Sequence, residues 1–259
     1  MTRRAIAAIV VTAGGFLCLA TQPAAAQATS NNALRLLVSN GMKGTLEALQ
    51  PQCEKAVGRP LAIQFGSTAS LKKRIETGEA FDVTIITTEA IGDLIKQGKL
   101  AAASRVDVGR SQLGIGIRAG APRPDIRTPE ALKKTLQDTR SITYPQDGAS
   151  RGAIEKMFER MGIAAEVKPR IILAPGSGPA TESVAAGQAA MVITLFSEIV
   201  PTHGVEILGP LPGEYGMDIR FAAATSASST SADAGKALIA FLSGPAAAPV
   251  LKAKGIEPR

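Results

Sequence analysis

Tryptophan is missing from the 259 residues, and tyrosine (two), phenylalanine (seven), histidine (one) and cysteine (two) are scarce. Each scarcity removes a class of function. Proteins that hold single-stranded nucleic acid stack its bases on aromatic side chains along a basic groove. Here the aromatics are few and the basic residues are scattered instead of forming a stripe, so nucleic acid is not among the expected partners. The single histidine, His203, sits in a Thr-His-Gly turn without a second His or Cys nearby, which argues against a zinc centre and removes the commonest general base. Cys18 lies in the N-terminal apolar run, which leaves Cys53 alone in a processed chain. No intramolecular disulfide can then form, even in an oxidising compartment, and Cys53 reads as a buried apolar helix residue. The sequence also lacks a Ser-His-Asp arrangement, a Walker loop, a metal cluster, an evident carboxylate dyad and any internal repeat. Accordingly no catalytic residue, metal or cofactor is assigned from it.

Met1-Thr2-Arg3-Arg4 followed by the apolar run 5–20 has the charged start and short hydrophobic region of a secretory signal, and Ala24-Ala25-Ala26 supplies a small-residue cleavage site. Cleavage before Gln27 is expected, giving a signal peptide at residues 1–26 and an exported, periplasmic chain. The apolar run is too short for the ~20 residues that span a bilayer, and no later stretch approaches that length. Taking Arg3 and Arg4 from the 29 basic residues leaves 27 against 22 acidic, or +5, a balance that suits an anionic ligand.

Further along, apolar β-type runs alternate with amphipathic helical patterns. Strands are expected at 34–39, 61–65, 80–87, 112–118, 142–144, 171–173, 191–195 and 218–224, with helices at 45–57, 70–77, 89–96, from Thr128-Pro129-Glu130 onward, 152–161, 181–187, 232–242 and before Lys254-Gly255. The Pro- and Gly-rich segment 207–216 reads as a turn. Repeated strand-loop-helix is the signature of mostly parallel sheets with helices on their faces.

Three strand ends open into small-residue helix starts: Ser39-Asn40-Gly41, Gly66-Ser67-Thr68 and Gly148-Ala149-Ser150. The unpaired N–H groups and partial positive charge of a helix N-terminus, with hydroxyls beside them, make a cradle for a small anion. The same residue types also serve as ordinary helix caps, so one such loop is a turn. Three of them, at the strand ends where open α/β sheets gather ligands, suggest a cleft.

In these blocks the chain resembles the periplasmic molybdate-binding proteins and the wider type II periplasmic binding proteins that serve ABC importers. The matching residues are Val38-Ser39-Asn40-Gly41-Met42-Lys43, the run from Phe65-Gly66-Ser67-Thr68 to Gly78, Phe81-Asp82-Val83, Ala185-Ala186-Gly187-Gln188-Ala189 and Ala240-Phe241-Leu242-Ser243-Gly244-Pro245. The resemblance implies a two-lobed α/β fold, each lobe a mostly parallel sheet flanked by helices and joined by two crossing strands near 111–118 and 219–224. Lobe I would hold residues 27–110 plus 218–259 and lobe II residues 111–217. It also implies a monomer that closes on a small anionic ligand and delivers it to an ABC permease in the inner membrane.

Carried over residue by residue, the resemblance gives Ser39 and Ser67 as hydroxyl ligands and Ala149 as a backbone ligand, with Asn40, Thr68 and Ser150 as adjacent donors. Two departures bear on the ligand. The tyrosine of molybdate binders is replaced by the run Val192-Ile193-Thr194-Leu195-Phe196-Ser197, where Thr194 or Ser197 could supply the lost hydroxyl, and Arg151 adds a charge beside the third loop. An Arg fork suits a carboxylate, whereas a tetrahedral oxyanion is served by neutral donors. Molybdate and a small carboxylate are therefore rival ligands, with Lys43 a minor candidate contact and Lys72 and Lys73 on a solvated face. An enzyme of the same superfamily, aconitate isomerase, is the alternative function. It needs a general base, for which Glu182, Glu198 or a desolvated lysine are the candidates.

Overall fold

The computed structural model describes residues 32–259, so the expected signal peptide at residues 1–26 lies outside the described residues. Strand β1 (Leu34–Ser39) passes through a 3-10 turn (Asn40–Met42) into helix α1 (Lys43–Val57), β2 (Leu61–Gly66) leads into α2 (Thr68–Glu76), and β3 (Val83–Thr87) into α3 (Thr88–Lys96). β1 lies between β2 and β3 and is parallel to both. A strand paired on both edges and covered on both faces has to be apolar nearly throughout. β1 accordingly sends Leu34, Leu36 and Val38 into the core that holds Leu46, Leu49 and Cys53 of α1, and Leu37 into the one that holds Leu71 and Ile75 of α2. Burial pushes the Cys53 thiol up to about 12, helped by the charge of Glu54, which makes it an inert packing residue.

Strand β4 (Val106–Arg118) is followed by α4 (Pro129–Asp138), β5 (Ile142–Pro145), α5 (Arg151–Arg160), the single turn α6 (Ala164–Val167), β6 (Ile171–Ala174), α7 (Ser177–Ala185), β7 (Met191–Leu195) and the single turn α8 (Phe196–Ile199). β8 (Val205–Pro210), β9 (Asp218–Thr225), α9 (Ala232–Leu242), α10 (Ala248–Ala253) and β10 (Glu257–Pro258) complete the described chain. The strand order is β2-β1-β3-β9-β4-β7-β5-β6, with β8 and β10 also paired to β4. The expected parallel pairing holds for β2-β1-β3 and for β6-β5-β7. In the middle it does not: β9 is antiparallel to β3 and to the first half of β4, and β7 and β8 are antiparallel to its second half. β9 follows β8 by a short connection and enters between β3 and β4, antiparallel to both.

β4 is therefore the strand along which the chain passes from one strand set to the other, at Gln112–Leu113, and it returns between β8 and β9. The two crossings touch, since Leu113 N–H donates to Met217 O at 2.9 Å and Leu211 N–H donates to Leu113 O at 3.2 Å. β4 starts six residues before the expected 112 because Val106-Asp107-Val108-Gly109-Arg110 is too polar to announce itself. Its partners β9 and β10 supply the pairing. A strand at 205–210 takes up the first four residues of the turn expected over 207–216, since an edge position tolerates the Gly and Pro it contains.

Asp82, just before β3, ties three segments together. Its buried carboxylate accepts from the Arg35 backbone N–H (2.9 Å), from Arg35 Nε (3.1 Å) and Nη2 (3.2 Å), and from Ser229 Oγ (2.8 Å) beyond β9. Burial alone would raise its pKa, but these hydrogen bonds and the Arg35 charge overcome that and hold it below the usual carboxylate value. A depressed pKa contributes stability above the ordinary Asp value that is lost as pH falls through the lowered one. Asp82→Ala is expected to cost about 2–4 kcal/mol in urea unfolding at neutral pH. The gap to the wild type should narrow toward the acid limb, and an unchanged midpoint at neutral pH would contradict the assignment.

Candidate functional site

The loops Ser39-Asn40, Ser67-Thr68 and Gly148-Ala149-Ser150 converge on a single cavity of about 20 Å³, room for about one water-sized group. The first two come from the β2-β1-β3 set and the third from the β6-β5-β7 set. Local chemistry places each one. Gly41 lets the β1 loop lie against β9, because a Cβ there would stand 2.5 Å from the buried Phe221 ring. Ser67 caps α2, its Oγ accepting from Ser70 N–H at 3.2 Å, and the Thr68 hydroxyl donates to Ser39 Oγ at 3.4 Å, joining the two loops. Ser39, Ser67 and Ser150 are buried. The Ser150 hydroxyl caps nothing in α5. α2 and α5 both begin at the cavity; of their first N–H groups Ser70 N–H is taken by the Ser67 hydroxyl, Arg151 N–H by Gly148 O (3.1 Å) and Ala153 N–H by Ser150 O (3.1 Å), and the others point out of the helix start. Both helix ends therefore present partial positive charge to it.

Six of the eight expected ligand residues thus line one cavity: Ser39, Asn40, Ser67, Thr68, Ala149 and Ser150. Arg151 and Thr194 are placed elsewhere. The Arg151 guanidinium turns along its own helix, with Nε on Glu155 at 2.8 Å and Nη1 on the Gln146 carbonyl at 2.7 Å. Its hydrogen bond to Glu155 raises its pKa further. Thr194 is fully buried in β7 and donates its hydroxyl to Glu198. The cavity wall also contains residues that the sequence pattern did not single out or suggested in another role: Asp147, Ser177 and Glu198, with Pro145, Leu195 and Phe221 as apolar surface. Ser177 carries a signal of the same kind as the three loops, since Pro175-Gly176-Ser177 opens α7.

Glu198 is the chemically distinctive member. Its carboxyl accepts the Thr194 hydroxyl, and the nearby Leu195 amide and Ser177 hydroxyl also favour its charged form. Burial nevertheless outweighs these bonds and, with a smaller push from Asp147, raises its pKa above the ordinary glutamate value. A half-open groove of about 540 Å³ lies on the other side of Asn40, Ser177 and Glu198, which it shares with the cavity, and its wall carries Lys43, Glu47, Glu182, Ser197 and His203. Lys43 approaches Glu47 at 3.8 Å and the Phe65 ring at 5.8 Å. The Ser197 hydroxyl is buried and has no hydrogen-bond partner among the described residues. On the far side a depression of about 500 Å³ shares Thr68, Asp147, Gly148 and Ala149 with the cavity and carries Lys72, Glu89, Asp93, Asp218 and Arg220. Among the described residues no group of three or more His, Cys, Asp or Glu is placed to hold a metal ion.

The chain is 30% identical over 249 residues to an aconitate isomerase from a Pseudomonas species, 94% of each chain being covered. It is 24% identical over 252 residues to the molybdate-binding protein ModA of Azotobacter vinelandii, with 95% of each covered. The solved periplasmic molybdate-binding protein of Azotobacter vinelandii superposes with a TM-score of 0.74 at 22% identity, covering 87% of this chain and 99% of that one, and so shares the fold. The family described as bacterial extracellular solute-binding protein matches residues 34–257, nearly the whole described chain, and the protein belongs to that family.

Proposed function

We propose that this protein is an exported capture protein for a small anion, bound between a lobe of residues 27–110 plus 218–259 and a lobe of residues 111–217, and handed to an ABC permease. The observation that carries the reading is the cavity itself. Hydroxyls and two helix N-termini from both strand sets meet there; no Lys or Arg side chain lines it, and Asp147 and Glu198 are its two acidic residues. Such donors suit a compact negative group, because preorganised dipoles can replace its hydration without a formal counter-charge. The hinge is read at the paired crossings near Leu113 and Met217, where two adjacent strands absorb the change in backbone angle as the lobes open.

A ligand that binds only the native state raises the melting temperature by mass action. Molybdate or tungstate, and separately citrate or trans-aconitate, are therefore to be compared by thermal shift. A rise with at least one of the two groups is expected, and no rise with either would contradict the proposal. Ser67→Ala is expected to weaken the effective anion by about tenfold through the lost hydroxyl, and to cost about 1 kcal/mol in stability through the lost cap of α2.

A second reading, an isomerase shifting the double bond of a tricarboxylate, is favoured by one specific observation. Glu198, a partly buried carboxyl whose pKa burial raises, lines the same cavity and could take a proton from one substrate carbon and return it to the carbon at the other end of the shifted double bond, which a pure binding site does not need. Donors around it would stabilise enolate-like charge. Following trans-aconitate by absorbance tests this directly. Turnover that is lost in Glu198→Gln supports the isomerase, and no turnover at high protein concentration removes it.

A further inference from the structure

Glu198 puts an uncompensated carboxyl into the wall of an anion site. We infer that Glu198 serves the bound anion as a neutral hydrogen-bond donor, so that capture takes up one proton from solution. The inference rests on the anion-capture reading and goes beyond it, because it assigns a residue and a stoichiometry that the hydroxyl loops do not require.

Polar groups face the carboxyl from every element around it. From its own strand and helix come the Thr194 hydroxyl and the Leu195 amide, and from α7 the Ser177 hydroxyl and the more distant Glu182. From the β5–α5 loop comes Asp147, whose charge repels it. From the β1–α1 segment come Asn40, Lys43 and Glu47, and from the turn after α8 come Thr202 and His203. Lys254 sits in the segment packed against Phe196 and Ser197, with its side chain against Gly44. Among the described residues Glu198 forms no ion pair, and Lys43 has Glu47 beside it instead. A small anion in the cavity would therefore meet Glu198 with no cation between them.

Two like charges within a few ångströms in a partly dehydrated site repel strongly. The site has two ways to avoid this: leave the anion out, or put a proton on Glu198. Protonation turns a repelling acceptor into a donor of the same kind as the serine hydroxyls beside it. The proton comes from solvent and no covalent bond of the ligand changes. Burial has already moved the free carboxyl in this direction, so the anion completes a shift the fold has begun. The linkage has a definite sign. Above the pKa of the free site, affinity should fall roughly tenfold per pH unit, one proton being taken up per anion. Below that pKa the carboxyl is already neutral, and affinity should not depend on pH.

The test uses the whole protein and trans-aconitate or molybdate, whichever raises the melting temperature, at about pH 6–8.5, above the ordinary carboxylate range. Calorimetric titration in buffers of different ionisation enthalpy counts the protons exchanged by the wild type without any variant. Uptake approaching one proton is expected toward the upper end of the window. Glu198→Gln carries the neutral donor permanently, so it should bind with no proton uptake and a flat pH profile. Binding by the wild type without proton uptake, or a pH slope that survives in Glu198→Gln, overturns the inference while the capture reading stands. Failure of both anions to bind overturns the capture reading and the inference with it.

Discussion

The chain crosses between its two strand sets at neighbouring points, and the arrangement of the candidate site follows from that constraint. β4 carries it outward at Gln112–Leu113 and the connection from β8 to β9 brings it back, with hydrogen bonds from Leu113 N–H to Met217 O and from Leu211 N–H to Leu113 O holding the crossings side by side. The loops after β1 and β2 on one side and after β5 on the other meet in one cavity, whose wall includes Leu195, the β7 partner of Leu113. The helix starts that follow them are thereby aimed at one cavity.

If the cavity takes the proposed anion, the physical question is how to hold negative charge without a counter-ion. Hydroxyls and helix N-termini do so by directed dipoles that are fixed before the ligand arrives. Glu198 adds the opposite tendency, an acidic group whose burial already disfavours its charge. The two are compatible only if the carboxyl stays neutral beside a bound anion, or if it takes its proton from the ligand, which separates binding from catalysis on one residue. The 540 Å³ groove next to Glu198 leaves space for a ligand larger than a tetrahedral oxyanion.

Much of this was legible in the sequence, for reasons that differ by residue. The loops at Ser39, Ser67 and Ala149 announce themselves because three strand ends in one chain open through small hydroxyl and glycine residues into helices, a coincidence that capping alone does not require. Arg151 could have been discounted, since Glu155 lies four residues on, the spacing of a helical ion pair. Thr194 was harder: whether a β-strand hydroxyl faces a cleft or a neighbouring carboxyl depends on the turn that follows, and α8 folds Glu198 back onto it. The antiparallel centre of the sheet and the early start of β4 were not legible, because the short polar run 106–110 becomes a strand only through partners more than a hundred residues away.

If loops from both strand sets hold one small anion together, their backbone amides must respond to it together. Amide NMR during titration with trans-aconitate or molybdate reads that response residue by residue. The amides of Ser39 to Gly41, Gly66 to Thr68 and Gly148 to Ser150 are expected to shift along one common saturation curve. Shifts confined to one strand set, or different apparent affinities for the two, would contradict a shared site.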